Sequence, residues 1–494
     1  MGSLRFTVPN RECLHAEDLE RIYMCGMEET PWITRAAWDG DLLAIDRAEN
    51  DSGNVYVPWP VERHGQLMLS TACLMQREQP YILEVELARG SMNQLRNQIA
   101  AWQAVGLVVP KEVEDRLSEA TVYFANAATS QSQPAMAAEH AVKAIRLAAD
   151  ISNMLGESYV AQAIPVRRRQ TPELSTLLGI DLGCTVPGGD TVELIQNTFN
   201  TAIMPTSWRN VEPQEGNRDW SIAEQQIAWC QSNGLKICGG PLLRMDTPGI
   251  PDWLYLWEGD FDNVLAFMLD FVKDTVTRFR GRVQLWHVAS RINLGSTVGL
   301  SMDQMLRVVA TAIETTRQLD PQTPIIVSFD QPWAEYMAKQ ESDFSPFGLA
   351  DALIRADLGI AGVGLEINSG YYPHGSAQRN LLALSQQLDH WSMLGVPLVV
   401  SVLSPSSDSE DALAQGLGRP MPGTDSVPIS PESQQDWTER HVPLMLAKNC
   451  VQAIVWNQLT DECPHEFPHG GLIDHRGNPK PAFESLRKIR QEYL

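Results

Sequence analysis

The stretch that decides the fold is residues 451–487, VQAIVWNQLTDECPHEFPHGGLIDHRGNPKPAFESLR. Its apolar run ends at Trp456, polar residues begin at Asn457, and a helical pattern resumes after Pro481. This order predicts a buried strand, a loop and a closing helix. If it is the last strand of a (β/α)₈ barrel, its final side chains face the ligand-binding side.

Upstream of this stretch, seven more apolar runs alternate with segments of helical periodicity. The eight predicted strands are LLGIDLGCTV (177–186), FNTAIMPT (199–206), LKICGGPLL (235–243), VQLWHVAS (283–290), PIIVSFD (324–330), IAGVGLEIN (360–368), VPLVVSVL (396–403) and QAIVWN (452–457). Strands that alternate with helices predict a parallel α/β barrel whose active residues follow the strands.

The chain of 494 residues is too long for a barrel alone. Short strand-like runs separated by turn residues predict a β-sandwich over 1–90, resembling a carbohydrate-binding module. Ala-rich amphipathic segments predict a helical spacer over 91–170, which leaves 171–494 for the barrel. Four aromatic residues of this unit fit either of two roles: Trp32, Trp38, Tyr56 and Trp59. They could form a platform that stacks on sugar rings, or they could pack the core and rim of the sandwich. We favour the packing role.

A formal net charge of −23 argues against nucleic acid or an anionic membrane as partner. No apolar run reaches the roughly 18 residues of a membrane span. The start lacks a signal-peptide pattern and the eight cysteines lack a disulfide framework, which predicts a cytoplasmic protein. A secreted protein whose signal has been removed would look the same. Whether the sandwich mediates homo-oligomerisation stays open.

The strand-eight stretch also carries a family resemblance. Trp456, Thr460 and Asp461, followed by Asp474 and by Asn-Pro-Lys-Pro-Ala at 478–482, resemble the end of family 10 glycoside hydrolases, the xylanase-like retaining glycosidases. The resemblance implies a TIM barrel that acts on carbohydrate. Retaining glycosidases use two carboxyl groups about 5–5.5 Å apart.

Neither family glutamate is found where the resemblance places it. Aligned through Trp286, the position of the proton donor after strand four holds Arg291. Strand seven places Val402 where the nucleophile belongs. An arginine cannot donate a proton at working pH.

Our first interpretation is a divergent glycosidase that cleaves O-glycosidic bonds of a plant-type oligosaccharide or glycoside with relocated carboxylates. Glu366 ends strand six and would be the nucleophile or base, with Asp330 or Asp461 as its acidic partner. Arg244 and Arg291 would tune the local charge. The alternative for Glu366 is a salt bridge to one of these arginines without catalysis.

The second interpretation is an inactive barrel that binds carbohydrate. The predicted substrate-binding residues, in addition to the two arginines, are Trp208, Trp333, Asn368, Tyr371, Trp456 and Asn457. The alternative is that the aromatics only pack the rim of the cleft.

The third interpretation is a metal-assisted hydrolase, because residues 461–469 contain ligand types that suit zinc. Prolines interrupt this loop, and the helix-face spacing of zinc proteases is missing. We therefore predict neither a metal nor a cofactor. The Ser-, Pro- and Gly-rich insert over 404–437 fits a lid or a flexible surface excursion.

Overall fold

The computed structural model describes residues 2–170, 173–294, 297–342 and 344–494. Eight parallel strands close into a barrel, because the eighth strand pairs with the first through Val455 and Gly179. The barrel strands are Leu177–Asp181, Thr201–Met204, Lys236–Gly239, Leu285–Ser290, Ile325–Asp330, Gly362–Asn368, Leu398–Leu403 and Val451–Trp456. The predicted (β/α)₈ barrel and all eight of its strands are confirmed.

A helix follows each strand and covers the outside of the barrel. These helices are Thr191–Thr198, Ser221–Ser232, Phe261–Phe279, Met302–Leu319, Pro346–Arg355, Leu381–Ser392, Pro431–Ala447 and Pro481–Tyr493. The helix Met302–Leu319 begins with a capping box: Ser301 Oγ accepts from the backbone N–H of Gln304, and Gln304 Oε1 accepts from the backbone N–H of Ser301. The apolar faces of strands and helices meet in one large core around the barrel.

The N-terminal part forms two four-stranded sheets. Their strands are Gly2–Thr7, Tyr23–Cys25, Pro31–Trp32, Thr34–Asp39, Leu42–Arg47, Asn54–Val61, Gly65–Ser70 and Tyr81–Ile82, with a short helix Ala16–Arg21. Trp59 is 1% exposed and packs in the core of this unit, whereas Trp38 lies under the guanidinium of Arg11, 4.0 Å from its ring centroid. The predicted β-sandwich is therefore present.

Three helices link the sheets to the barrel: Leu83–Ala104, Lys111–Thr129 and Pro134–Gln170. The first begins at Leu83, although the sequence pattern YILEVELA (81–88) reads as a strand. All residues from Leu83 to Ala88 are buried, and Arg89 is partly exposed, so no exposed polar face marks a helical period. Leu, Glu and Ala are good helix formers, and their propensity agrees with the observed helix.

The N-terminal sheet packs directly against loops at the carboxyl end of the barrel. Arg379 Nη2 donates to Tyr23 Oη at 2.8 Å, and the N–H of Met68 donates to the carbonyl of Gln378 at 2.8 Å. A small apolar cluster seals this contact with Cys25, Ala338, Ala377 and Met421. Within the described ranges, no helix is both long and apolar enough to cross a bilayer.

Candidate active site

A cleft with a volume of about 560 Å³ opens at the carboxyl ends of the barrel strands. This is the face on which the sequence predicts ligand-binding residues. Its charged and polar lining includes Asp181, Arg244, His287, Arg291, Ser328, Glu366, Ser401, Asn457 and Glu466. The lining thus comes from strands on all sides of the barrel.

Arg291 directly follows the fourth strand and is buried, with a left-handed backbone φ of 58°. Its Nε donates to Glu366 Oε2 at 2.9 Å. Its Nη1 donates to Asp246 Oδ2 at 2.9 Å and to Glu466 Oε1 at 2.5 Å. The residue at the proton-donor position therefore binds three carboxylates and supplies no acid.

Arg244 adds a second cation to this network. Its Nε and Nη2 donate to the two oxygens of Asp246, both at 2.7 Å, and its Nη1 lies 2.9 Å from Glu466 Oε2. Burial alone would raise the pKa of Asp246, but the charges of Arg244 and Arg291 outweigh it and hold that pKa below its ordinary value. The same balance lowers the pKa of Glu466.

Glu366 is held from both of its oxygens and is 7% exposed. Ser328 Oγ donates to Oε1 at 2.8 Å, while Arg291 binds Oε2. His287 Nε2 lies 2.9 Å from Ser328 Oγ, and burial lowers the pKa of His287 to about 4. The ring is therefore neutral at neutral pH. Its contact with Ser328, which in turn bonds to Glu366, holds Glu366 from within the barrel.

Asp330 lies beside Glu366 in the sheet register but has no exposed surface. Its Oδ1 accepts from the N–H of Gln331 at 2.9 Å, and Oδ2 has no hydrogen-bond partner among the described residues. Arg291 Nε is 3.9 Å from that oxygen. Burial raises the pKa of Asp330 to about 8 in spite of this charge. Asp330 thus lies beside Arg291 as a buried group that keeps its proton at neutral pH, and it does not line the cleft.

Asp181 is a cleft carboxyl group that the sequence interpretation missed. It ends the first strand, and its Oδ1 accepts from the N–H of Gly183 at 2.8 Å. Burial raises its pKa to about 7, and the negative charges of Glu366 and Glu466 add to the rise. Its position at a strand end is the same signal that identified Glu366, and it could have been applied to strand one.

Asp461, the other predicted acidic partner, points away from the cleft. Lys480 Nζ lies 2.6 Å from its Oδ2, and its Oδ1 accepts from Gln458 Nε2 and from the N–H of Gly471, both at 2.8 Å. The carboxylate is 2% exposed. Its ion pair with Lys480 joins the loop after the eighth strand to the start of the last helix. Asp461 therefore stabilises the structure and does not reach the cleft.

The aromatic residues predicted to stack on sugar are also mostly buried. Trp456 and Tyr371 are 1% and 0% exposed, and each donates its polar hydrogen to a loop carbonyl, those of Gly470 and Pro468. The side chain of Trp456 points away from the barrel lumen and into the apolar layer between strands and helices, because successive side chains of a strand face opposite sides. The cleft contains no broad sugar platform from these rings.

Trp208 and Trp333 lie in different places. Trp208 touches the cleft but is 2% exposed, and its Nε1 donates to Glu212 Oε2 at 2.8 Å. Trp333 lines a separate cavity beside the N-terminal sheet. Asn457 does line the cleft and donates to the buried Asn368 Oδ1 at 3.3 Å.

On strand seven, Val402 faces the helices, and Ser401 faces the cleft. Neighbouring residues of a strand face opposite sides, so Val402 presents no side chain to the cleft. Ser401 pairs in register with Glu366 on the neighbouring strand. Strand seven still presents no carboxylate, and the nearest one lies on strand six.

The loop with the zinc-type ligands forms a wall of the cleft. His465 Nε2 lies 3.0 Å from Asp411 Oδ2, and His469 Nε2 contacts Ser409. Among the described residues, no group of three or more His, Cys, Asp and Glu side chains is arranged to hold a metal ion. The insert after strand seven packs on this loop, with the N–H of Gln415 donating to the carbonyl of His465 at 2.8 Å.

Part of the chain is similar to known proteins. Endo-1,4-beta-xylanase B of Thermotoga neapolitana is 23% identical over 321 residues, which cover 61% of this chain and 84% of that protein. Endo-1,4-beta-xylanase 3 of Hypocrea jecorina is 22% identical over 320 residues, covering 60% and 80%. The crystal structure of native xylanase 10B from Thermotoga maritima has a TM-score of 0.49 and 17% identity, covering 66% of this chain and 98% of that one.

The family model of glycosyl hydrolase family 10 matches residues 186–489, which is more than half of the chain. The matched region begins just after the first barrel strand and ends within the last helix. The chain therefore belongs to glycosyl hydrolase family 10.

Proposed function

We propose that this chain hydrolyses the O-glycosidic bond of a short plant-type glycoside, with Glu366 as nucleophile or base and Asp181 as proton donor. The observation that carries the proposal is that both carboxyl groups line one cleft in different electrostatic surroundings. Arg291 pairs with Glu366, whereas burial keeps Asp181 protonated up to a pKa of about 7. Two carboxyl groups with opposed environments are the usual basis for acid and base roles.

In this mechanism Asp181 protonates the glycosidic oxygen as the bond to the anomeric carbon breaks. Glu366 either attacks that carbon or removes a proton from the attacking water. Ser328 and Arg291 hold Glu366 in one orientation, so little reorganisation is needed during reaction. Asp181 replaces Asp330 and Asp461 as the acidic partner, because it is the one of the three that lines the cleft.

The proposed substrate is short because the cleft offers few stacking surfaces. Trp208, Tyr371 and Trp456 are at most 2% exposed, so a long sugar chain finds no row of exposed rings there. The xylanases named above are similar proteins, and xylo-oligosaccharides and aryl xylosides are therefore the first substrates to examine.

The experiment measures release of aglycone or reducing ends by the wild type, Glu366→Gln and Asp181→Asn. We expect each variant to lose about 10²- to 10⁴-fold in kcat, the usual contribution of an acid or base. Glu462→Gln and Asp190→Asn are matched controls, because both residues are exposed and neither lines the cleft. Turnover that survives in both cleft variants would rule out this pair.

A second candidate function is carbohydrate binding without hydrolysis. It is favoured by one observation: Arg291 occupies the proton-donor position and engages Glu366, Asp246 and Glu466 at once. A binder would show saturable affinity for the same sugars and would release no product from any of them.

A further inference from the structure

A second cavity, with a volume of about 320 Å³, lies at the seam between the N-terminal sheets and the barrel. One side comes from strands Tyr23–Cys25 and Asn54–Val61 and from the loop over 28–30. The other side comes from the loop after the fifth barrel strand and from helices Pro346–Arg355 and Leu381–Ser392. No residue lines both this cavity and the catalytic cleft.

Four aromatic rings line its walls: the buried Tyr23 and the partly buried Tyr56, Trp333 and Phe347. Each ring is fixed by a neighbour. Tyr56 stacks on Tyr23 with centroids 4.6 Å apart and planes 2° apart, and Phe347 packs on His390 at 4.3 Å. The rings are thus held as rigid surfaces, which limits the entropy lost when a ligand binds.

Trp333 is fixed by a cation. The guanidinium carbon of Arg379 lies 4.3 Å from the centroid of its ring, and Arg379 is itself paired with Glu335 and bonded to Tyr23 Oη. Arg379 lies in the loop after the sixth barrel strand, Trp333 lies in the loop after the fifth, and Tyr23 lies in the N-terminal sheet. The wall of the cavity therefore exists only when the two parts of the chain are packed together.

The rim of the cavity is polar and carries acceptors. Glu28 and Glu29 are exposed, and neither forms an ion pair with any residue that the structure describes. Thr30, Ser345, Gln387 and His390 are further polar residues of the lining. Pockets that combine aromatic walls with a few polar groups are typical of small-molecule sites, which begin at about 300 Å³.

We propose that this seam cavity is a second saccharide-binding site, which takes a neutral mono- or disaccharide. Aromatic faces pack against the apolar face of a sugar ring, and the carboxylates of Glu28 and Glu29 accept hydrogen bonds from its hydroxyl groups. An anionic ligand is disfavoured by these two carboxylates. A cationic ligand is disfavoured at Trp333, because it would be repelled by the charge of Arg379 against that ring.

The choice of a saccharide rests on the proposed function, since it assumes that the protein handles carbohydrate. It does not require hydrolysis in the cleft. The two ideas therefore fail separately: the cleft variants affect turnover, and the seam variants affect binding at the second site.

The test is calorimetric titration of the full chain carrying Glu366→Gln, so that no probe is consumed, with xylobiose and with cellobiose. Trp333→Leu removes a wall of the cavity, and Glu28→Gln combined with Glu29→Gln weakens its acceptors. Trp38→Phe is the control, because Trp38 lies in the other N-terminal sheet and does not line the cavity. Thermal unfolding of each variant shows whether it is folded.

We expect Trp333→Leu to weaken one saccharide site at least about tenfold while a site in the cleft and the Trp38→Phe protein are unchanged. If neither probe binds outside the cleft, or if Trp333→Leu leaves every binding event unchanged, the proposal is overturned. It is also overturned if tetramethylammonium chloride binds the seam and neither sugar does, because the site would then be one for cations.

Discussion

Arg291 Nε lies 2.9 Å from Glu366 Oε2, so the side chain at the usual proton-donor position is ion-paired with the carboxylate at the end of the sixth strand. The same guanidinium also binds Asp246 and Glu466. With Arg244, two cations therefore face three anions in the centre of the cleft. Each buried charge in this network is compensated by its neighbours, so a single substitution leaves a charge uncompensated and tests the network.

Replacing Arg291 by methionine leaves three carboxylates without their central cation. Removing one partner of a buried ion pair costs about 3–5 kcal/mol, because the remaining charge is buried without compensation. We expect Arg291→Met to lower the free energy of unfolding by that amount in urea at pH 7. Arg355→Met is the control, since Arg355 pairs with Asp351 on the surface and its side chain is 78% exposed. Equal midpoints for the two variants would contradict a stabilising network.

The barrel could be predicted from the sequence because its strands and helices repeat a simple period eight times. Residues at or soon after the strand ends were predictable for the same reason, and the structure places Arg244, Arg291, Glu366 and Asn457 in the lining of the cleft. Asp181 obeys the same rule and was overlooked. The direction of a side chain at a strand end was harder to predict from the sequence. Trp456 ends the eighth strand, but its side chain faces the apolar core and not the cleft.

Interactions between distant segments could not be predicted. Asp461 looked catalytic because it follows a strand, but Lys480, nineteen residues later, pairs with it. Trp333 follows the fifth strand, yet the N-terminal sheet covers that corner and makes a separate cavity. Such pairings depend on packing in three dimensions, and a one-dimensional pattern of apolar residues does not contain them.

The buried pair of Asp461 and Lys480 gives a prediction that separates structure from catalysis. Lys480→Met should lower the free energy of unfolding by about 3–5 kcal/mol, because Asp461 stays buried without its cation. Asp461 lies outside the cleft lining, so activity per folded molecule should stay within about twofold of the wild type. Denaturant unfolding and specific activity at low temperature check the two parts. A large loss of kcat in a fully folded variant would instead indicate that Asp461 takes part in catalysis.

The raised pKa of the buried Asp330 makes the free energy of unfolding depend on pH. Burial raises its pKa from 3.8 to about 8 in the folded chain, so the folded state keeps a proton that the unfolded state releases. The resulting stability is fully present below pH 3.8 and is lost as the pH rises to about 8, by up to about 1.4 kcal/mol per pH unit.

Asp330→Asn keeps the shape of the side chain and removes its titration. We therefore expect this variant to lose less stability than the wild type between pH 5 and pH 8. Urea unfolding at both pH values measures the difference. Asp190→Asn, at an exposed site, should follow the wild type. Parallel pH curves for Asp330→Asn and wild type would show that Asp330 is ionised throughout.

The last prediction concerns the pH profile of hydrolysis. If Asp181 is the proton donor, kcat/KM should fall as the pH rises through about 7, because the free enzyme then loses the donated proton. The charge of Arg244 lowers the pKa of Asp181, so Arg244→Gln should move this fall to higher pH. Arg209→Gln is the matched control: Arg209 also lines the cleft, but it bonds to Asp252 and to the carbonyl of Ile250. A fall that stays at the same pH in Arg244→Gln would mean that another group donates the proton.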